Sequence, residues 1–213
     1  MYKLTKKYSN QPVLRVLIQL VPFGIGSAID TLLQIRLNNI QSDRTKHFFD
    51  ELEKGNILLD EKLLKSEDFL HKFFITTNVA LKTRRREKII MFAKLLKNSF
   101  SDENIDEYEE YLSILDELSY REIRALIILD KYYKKHILNT NENNLEHISP
   151  FWNEYINELQ KELNIDNMEA TSFLSRIART GCYELINGSY YNYNGGVGKL
   201  TKTWEKIKSI IES

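Results

Sequence analysis

The sequence predicts a mainly α-helical protein, with an N-terminal helical bundle followed by a winged-helix-like domain that carries one short β-hairpin. Three observations support this fold class. Only three Pro and eight Gly occur in 213 residues, and four of the Gly lie between 188 and 198, so few helix breakers interrupt the first 180 residues. Apolar residues recur there at helical spacing. Close to the C-terminus, a capped helix is followed at once by two short strands around an Asn-Gly turn.

Bulk composition is typical of a soluble globular protein, with 42% hydrophobic and 28% charged residues. A single cysteine, Cys182, excludes a disulfide framework and a thiolate metal cluster, which suits a reducing compartment. The first residues lack the pattern of a secretory signal. We therefore expect a cytoplasmic protein.

Charge is unevenly distributed although the formal net charge is zero. Residues 1–100 contain 18 Lys+Arg against 10 Asp+Glu, which gives +8, and residues 101–118 contain none against 8, which gives −8. Residues 119–213 are balanced at 12 against 12. Such runs usually form solvated faces, and they also allow mutual neutralisation or contact with a partner.

The most apolar stretch is 13–33, where 14 residues without charge lie between Arg15 and Asp30. That run is shorter than the roughly 20 residues that a membrane-spanning helix needs, and Pro22 interrupts it. The favoured interpretation is two buried helical segments with a bend near Pro22. A membrane-seeking segment is the less favoured alternative, suggested by the basic residues that precede it.

Helical periodicity predicts three further helices in the N-terminal part. The first begins near Ser27 and ends near Gly55, and the second begins after Ser66. The third is predicted to begin with Thr83 as its cap. Directly after Thr83, the basic residues Arg84, Arg85 and Arg86 form either a contact for nucleic-acid phosphates or a solvated helix face.

We place the domain boundary after residue 118, so that 1–118 is the helical domain and 119–213 the winged-helix-like domain. Three helices of the winged-helix-like domain are predicted from their start signals. The first starts with a capping box at Ser119 and Glu122, and the second with an N-cap at Ser149 followed by Pro150. The third starts after Asp166 or Asn167. Gly181 ends the third helix with a positive φ angle.

The predicted hairpin covers about 182–193, with Cys182–Ile186 paired to Ser189–Tyr193 through a type I′ turn at Asn187-Gly188. Thr201 is expected to cap a final helix. If this domain bound DNA, the contacts would come from the third helix and from the residues after the hairpin, namely Ser172, Arg176, Arg179, Lys199 and Lys202.

Motifs for common chemistries do not occur. The sequence has no Gly-rich phosphate loop followed by Lys-Ser or Lys-Thr, and its four His are scattered without the spacing of a helical zinc site. Cys182 is better explained as a small buried apolar residue than as a nucleophile. We therefore expect neither catalysis, nor a metal site, nor a cofactor.

Three segments resemble bacterial abortive-infection alpha-type proteins and their relatives: Lys65–His71, Glu87–Asn98 and Leu112–Ile123. The helix and hairpin after them, with the Arg-Thr-Gly sequence at 179–181, are similar to the wing of related phage-linked proteins. The similarity covers roughly residues 20–204. It implies a role in phage defence or in mobile elements and carries over no catalytic residue.

The leading hypothesis is a non-catalytic interaction or regulatory protein of a phage-defence or prophage system. Its winged helix would bind a protein partner or a second copy. A DNA-binding regulator is the alternative, against which stands the charge balance of 119–213, because non-specific DNA affinity depends on excess positive charge. The second alternative is a membrane-acting effector through residues 13–33.

Overall fold

In a computed structural model of the chain, the structure describes residues 12–21, 31–54, 63–99, 105–136, 145–186 and 197–212. These residues are mainly helical and include one two-stranded antiparallel hairpin, as predicted. The chain divides into two compact units, with the division between Ser113 and Ile114.

Among the described residues, the elements before the division belong to the first unit, and the hairpin belongs to the second. The helices of the first unit are α1 (Pro12–Leu20), α2 (Thr31–Glu53), a short 3-10 turn (Leu63–Lys65), α3 (Glu67–Lys82) and α4 (Arg86–Asn98). The division lies inside α5 (Ile105–Glu117). The second unit then has α6 (Tyr120–His136), α7 (Leu145–Leu163), α8 (Asn167–Ala178), β1 (Tyr183–Leu185), β2 (Gly198–Leu200) and α9 (Lys202–Glu212).

Aromatic side chains form the core of the first unit, where α4 packs against both α2 and α3. Phe48 and Phe49 from α2, Phe73 from α3 and Phe92 from α4 are all buried. The ring centroids of Phe49 and Phe73 are 6.2 Å apart, within the range of a favourable aromatic pair. The predicted end of the helix near Gly55 agrees with the last residue of α2, Glu53.

Helix α1 uses the first part of the apolar stretch as core. Val13, Leu14, Leu17 and Ile18 are buried, at the i, i+1, i+4, i+5 spacing of one helix face. The predicted bend near Pro22 lies outside the described residues. Within the described ranges, no helix is long and apolar enough to cross a bilayer.

The junction between α3 and α4 differs from the prediction. Ser66 caps α3 as expected, accepting a hydrogen bond from the amide of Phe69 at 3.3 Å. Thr83, however, ends α3: its hydroxyl donates to the carbonyl of Val79 at 3.0 Å. Because Thr83 follows the last turn of α3 directly, its hydroxyl reaches a terminal carbonyl behind it. Helix α4 therefore begins at Arg86, with Arg85 as its N-cap.

The second unit combines the helices α6 to α9 with the hairpin. Helices α6, α7 and α8 contact one another, while β1 packs on α8 and β2 on α6. The capping box at the start of α6 is confirmed: Ser119 donates its amide to Glu122 at 2.7 Å, and the amide of Glu122 donates to the Ser119 hydroxyl at 3.2 Å. Trp204 from α9 is completely buried in this unit.

The start of α7 also differs from the prediction, since the helix begins at Leu145 and Pro150 lies inside it. Proline lacks the amide that a helix interior needs, which is why a helix start was expected there. The turn before Pro150 remains helical because it carries Ile148, which is completely buried. Burial of this side chain offsets the hydrogen bond that the proline cannot make.

A three-residue turn connects α7 to α8. Asn164 has a φ of 52°, the left-handed conformation that Asn tolerates better than most residues. Ile165 is buried, and Asp166 caps α8 by accepting from the amide of Glu169 at 2.8 Å. The predicted helix start at Asp166 is thus confirmed, and Gly181 has the predicted positive φ, at 73°.

The hairpin has the predicted first strand but a different partner strand. Strand β1 pairs antiparallel with β2, and Tyr183 lies opposite Leu200. Both side chains are buried, which stabilises this pairing. The predicted strand Ser189–Tyr193 and its Asn187-Gly188 turn lie outside the described residues. After β2, Thr201 caps α9 as expected, accepting from the amide of Trp204 at 3.3 Å.

Candidate functional site

The two arginines predicted to read DNA are each paired with a carboxylate of the same unit. Arg176 Nε lies 3.6 Å from Glu122 Oε1, and Arg179 Nε lies 2.6 Å from Glu117 Oε1. Both arginine side chains are 59% exposed, so they lie at the surface as expected. Their charges, however, are locally neutralised.

The two lysines predicted to contact DNA, Lys199 and Lys202, lie in two different elements, β2 and α9. Lys199 lies directly across the hairpin from Glu184, and its Nζ is 3.3 Å from Glu184 Oε2. It therefore forms a cross-strand ion pair. Lys202 is exposed at the first residue of α9.

A shallow groove runs beside α8 and contains part of the predicted set. It has a volume of about 360 Å³ and is lined by Arg121, Ile165, Met168, Glu169, Ser172, Phe173 and Arg176. Met168 is 91% exposed, whereas Ile165 and Phe173 are buried and form the floor. The structure thus brings Ser172 and Arg176 together in one groove of mixed character, which we call the α8 groove.

Arg121 lines the α8 groove but was not among the site residues predicted from the sequence. Its guanidinium donates to the carbonyl of Leu163 at 2.7 Å, at the C-terminal end of α7. The guanidiniums of Arg121 and Arg176 lie over the Phe173 ring, 5.8 and 5.3 Å from its centroid. At these distances the ring face attracts both cations and holds them over the groove floor.

A second groove lies in the first unit and contains two of the three predicted arginines. It has a volume of about 250 Å³ and is lined by Ile40, Asp43, Arg44, His47, Arg84, Arg86 and Ile89. We call it the arginine groove. Arg85 is exposed beside it in sequence and is the N-cap residue of α4.

Arg44 and His47 are the functional candidates that sequence reasoning missed. Together with Ile40 and Asp43 they recur at helical spacing along α2, so one face of that helix was recognisable. Nothing local indicates that this face meets a segment 40 residues later. The link is made by Arg44, whose guanidinium donates to the carbonyl of Leu81 at 2.5 Å.

The described residues offer no group of three or more His, Cys, Asp and Glu side chains that could hold a metal ion. Cys182 is completely buried, and burial raises the pKa of its thiol to about 11. A thiol with a raised pKa is a poor nucleophile at neutral pH. Cys182 lies between α8 and β1 in the sequence. Its buried side chain behaves as a small apolar group.

The two grooves are therefore the features from which a function can be argued. The α8 groove contains an arginine paired with a carboxylate and an exposed methionine, and the arginine groove is rich in arginine. No protein-family model matches the chain, and neither the curated proteins nor the solved structures compared with it give a significant match.

Proposed function

We propose that the protein is a non-catalytic interaction or regulatory protein whose second unit is a winged-helix-like module used for protein contact. Three helices, a three-residue turn before α8 and a hairpin directly after it support a winged-helix arrangement. In that arrangement α8 occupies the position of a recognition helix, and the β1–β2 hairpin takes the place of the wing strands.

The observation that carries the proposal is the pairing of Arg176 with Glu122 and of Arg179 with Glu117. A recognition helix that binds DNA needs cations that can release counterions from phosphates. Here each arginine would have to leave a carboxylate first, and the carboxylates would then repel the phosphates. This charge arrangement favours a protein surface over a DNA backbone.

The α8 groove has the features of a protein contact. Met168 extends into solvent beside it, and a flexible thioether adapts to varied apolar surfaces. Arginine is enriched at protein interfaces, and here two arginines lie over the Phe173 ring. The partner is either a second copy of the chain or another protein, and the resemblance to abortive-infection proteins supports a phage-defence or prophage setting.

The test compares the full chain with Met168→Glu, which places a charge in the α8 groove, and with Asn153→Glu, which adds the same charge to an exposed position of α7. Self-association is measured by sedimentation velocity, and partner capture by mass spectrometry of pull-downs from phage-infected cells. We expect Met168→Glu to lose the association that the parent chain and Asn153→Glu both retain.

The DNA alternative is tested on the same unit. Binding to random duplex at low salt is compared between the parent chain and Arg176→Gln/Arg179→Gln, so that any contribution from other basic residues cancels. Equal binding of the two proteins supports the proposal. Loss of duplex binding in the arginine variant, with protein contacts unchanged in Met168→Glu, would establish α8 as a DNA-reading helix instead.

A further inference from the structure

We infer that the arginine groove of the first unit binds the phosphate group of a small phosphate monoester. The inference does not depend on the function proposed for the second unit. Three guanidiniums line the groove, from Arg44, Arg84 and Arg86, against the single carboxylate of Asp43. The arginine and aspartate side chains of the lining thus carry three positive charges and one negative charge.

The carboxylate of Asp43 lies close to the histidine of the same groove. Asp43 Oδ2 lies 3.4 Å from His47 Nε2 on the next turn of α2. A phosphate that enters the groove therefore meets three arginines and one opposing carboxylate, which has His47 beside it. An anion gains more from these cations than it loses to Asp43.

Backbone contacts hold Arg44 and the turn before Arg84 in place. One N–H group of Arg44 is used on the carbonyl of Leu81, and a guanidinium has five such donors. The amide of Thr83 donates to the carbonyls of Val79 and Ala80, both at 3.2 Å, which fixes the turn that carries Arg84. A preformed arrangement avoids much of the entropy that ordering loose side chains would cost.

The start of α4 strengthens the attraction for an anion. Arg86 is the first residue of this 13-residue helix. Arg85 is its N-cap residue, and Glu87 is the acidic residue of its first turn. The positive end of the helix dipole thus lies at the same place as the arginine side chains.

Size and chemistry identify the class of ligand. Arginine matches the geometry of phosphate oxygens with paired N–H donors. A volume of about 250 Å³ suits a phosphate with a small attached group better than a large ligand. Ile40 and Ile89 supply an apolar wall for that attached group.

The experiment is a calorimetric titration of the full chain in a phosphate-free, low-salt buffer. The probes are inorganic phosphate, a nucleoside 5′-monophosphate, the nucleoside itself and a short oligonucleotide without terminal phosphates. Arg84→Gln/Arg86→Gln removes two groove charges, and Lys65→Gln/Lys131→Gln removes two charges from exposed positions elsewhere. Circular dichroism melting verifies that both variants are folded.

We expect the monophosphate to bind and inorganic phosphate to compete with it, while the nucleoside does not bind. The groove variant should bind at least about tenfold more weakly, because charged hydrogen bonds are lost, and the control variant should match the parent chain. Binding of the oligonucleotide alone would overturn the inference in favour of a nucleic-acid surface. Absence of binding to both phosphate probes, or equal weakening in the two variants, would also overturn it.

Discussion

Glu122 is a buried carboxylate whose two oxygens serve different partners. Oε2 accepts from the amide of Ser119 and so caps α6, while Oε1 lies 3.6 Å from Arg176 Nε. The capping role keeps the carboxylate in place at the end of the helix. Neutralisation of Arg176 is thus a consequence of how α6 begins, which is why this arginine is a poor candidate for phosphate contact.

Lys208 and Asp130 form an ion pair that is largely withdrawn from solvent, with side chains 9% and 15% exposed. Burial alone would lower the pKa of Lys208, but the hydrogen bond that it donates to Asp130, together with the charges of Asp130 and Glu212, outweighs burial, and the pKa is raised. A raised lysine pKa means that the pair stabilises the fold fully below the usual value of 10.5 and loses this effect as the pH rises beyond it.

We predict that Asp130→Asn lowers the free energy of unfolding by about 1–3 kcal/mol at pH 7, and by less above pH 10.5, because the buried ammonium loses its partner. Urea unfolding at both pH values measures the change. The control is Glu162→Gln, which breaks the more exposed pair with Arg124 and should cost less than about 1 kcal/mol. Equal costs for the two variants would contradict the prediction.

Cys182 provides a second prediction at this scale. Its thiol is completely buried, and desolvation raises its pKa from 9.0 to about 11, although a hydrogen bond with Thr180 opposes the shift. We expect alkylation at pH 8 to be slow in the native chain and fast in urea, because the reactive thiolate is both rare and inaccessible. Labelling is followed by mass spectrometry. Rapid labelling of the native protein at pH 8 would show that the thiol is accessible.

The raised pKa of Cys182 makes the folded state less stable at alkaline pH. Above pH 9 the thiol ionises in the unfolded chain but not in the folded one, so the folded state loses stability between pH 9 and about 11. Below pH 9 this group leaves stability unchanged.

At the level of secondary structure, the hairpin requires the backbone of Gly198 to lie very close to Tyr183 and Glu184 of β1. A Cβ atom at this position would lie 2.2 Å from Tyr183 Cζ and 2.6 Å from the carbonyl oxygen of Glu184. The backbone oxygen cannot move away without disturbing β1, and the Tyr183 ring is buried. Only glycine fits opposite these atoms.

We therefore predict that Gly198→Ala destabilises the second unit by about 1–3 kcal/mol through overpacking. Gly181→Ala is the comparison: at φ 73° no atom lies within 4 Å of the added Cβ, so its cost of about 1–2 kcal/mol is purely conformational. Gly181→Asn should recover part of that cost, and Gly198→Asn should recover none. Urea unfolding and amide exchange of β1 measure these effects, and a neutral Gly198→Ala would refute the steric argument.

Helix starts were predictable where the bonding groups are close in sequence. Ser119 with Glu122, Asp166 with Glu169 and Thr201 with Trp204 each join residues three apart. The partner of β1 was not predictable in this way. Tyr183 pairs with Leu200 because both side chains are buried, and burial depends on helices elsewhere in the chain.

The same limit applies to the two grooves. Arg84 and Arg86 were recognisable as a basic run, but Arg44 joins them through a hydrogen bond to Leu81, 37 residues away. Arg176 was recognisable as an exposed helical cation, yet its neutralisation by Glu122 connects residues more than 50 positions apart. Local periodicity contains no information about either contact.

For the whole molecule, zero net charge conceals two different electrostatic arrangements. In residues 119–213 the 12 cations and 12 anions are balanced in number, and several are paired at short range, as in Arg124–Glu162 and Lys199–Glu184. In residues 1–100 the excess of 18 cations over 10 anions is concentrated in part at the arginine groove. The basic and neutral surfaces thus suit different kinds of ligand.

This arrangement predicts that the two proposed activities can be removed separately. The arginine groove is built from α2, the α3–α4 junction and α4, whereas the α8 groove is built from residues of the second unit. We expect Arg84→Gln/Arg86→Gln to lose monophosphate binding and keep the protein contact, and Met168→Glu to show the reverse. Calorimetry and sedimentation velocity on both variants measure the two properties.

The combined variant tests whether the surfaces are coupled. Independent sites give additive effects, so each property of the combined variant should match that of the corresponding single variant within about 0.5 kcal/mol. Coupled sites would change each other's affinity by the same factor, so monophosphate would strengthen or weaken the protein contact of the parent chain. A shift of the sedimentation profile on adding monophosphate, absent from the Arg84→Gln/Arg86→Gln variant, would reject independence and make the phosphate ester a regulator of the contact.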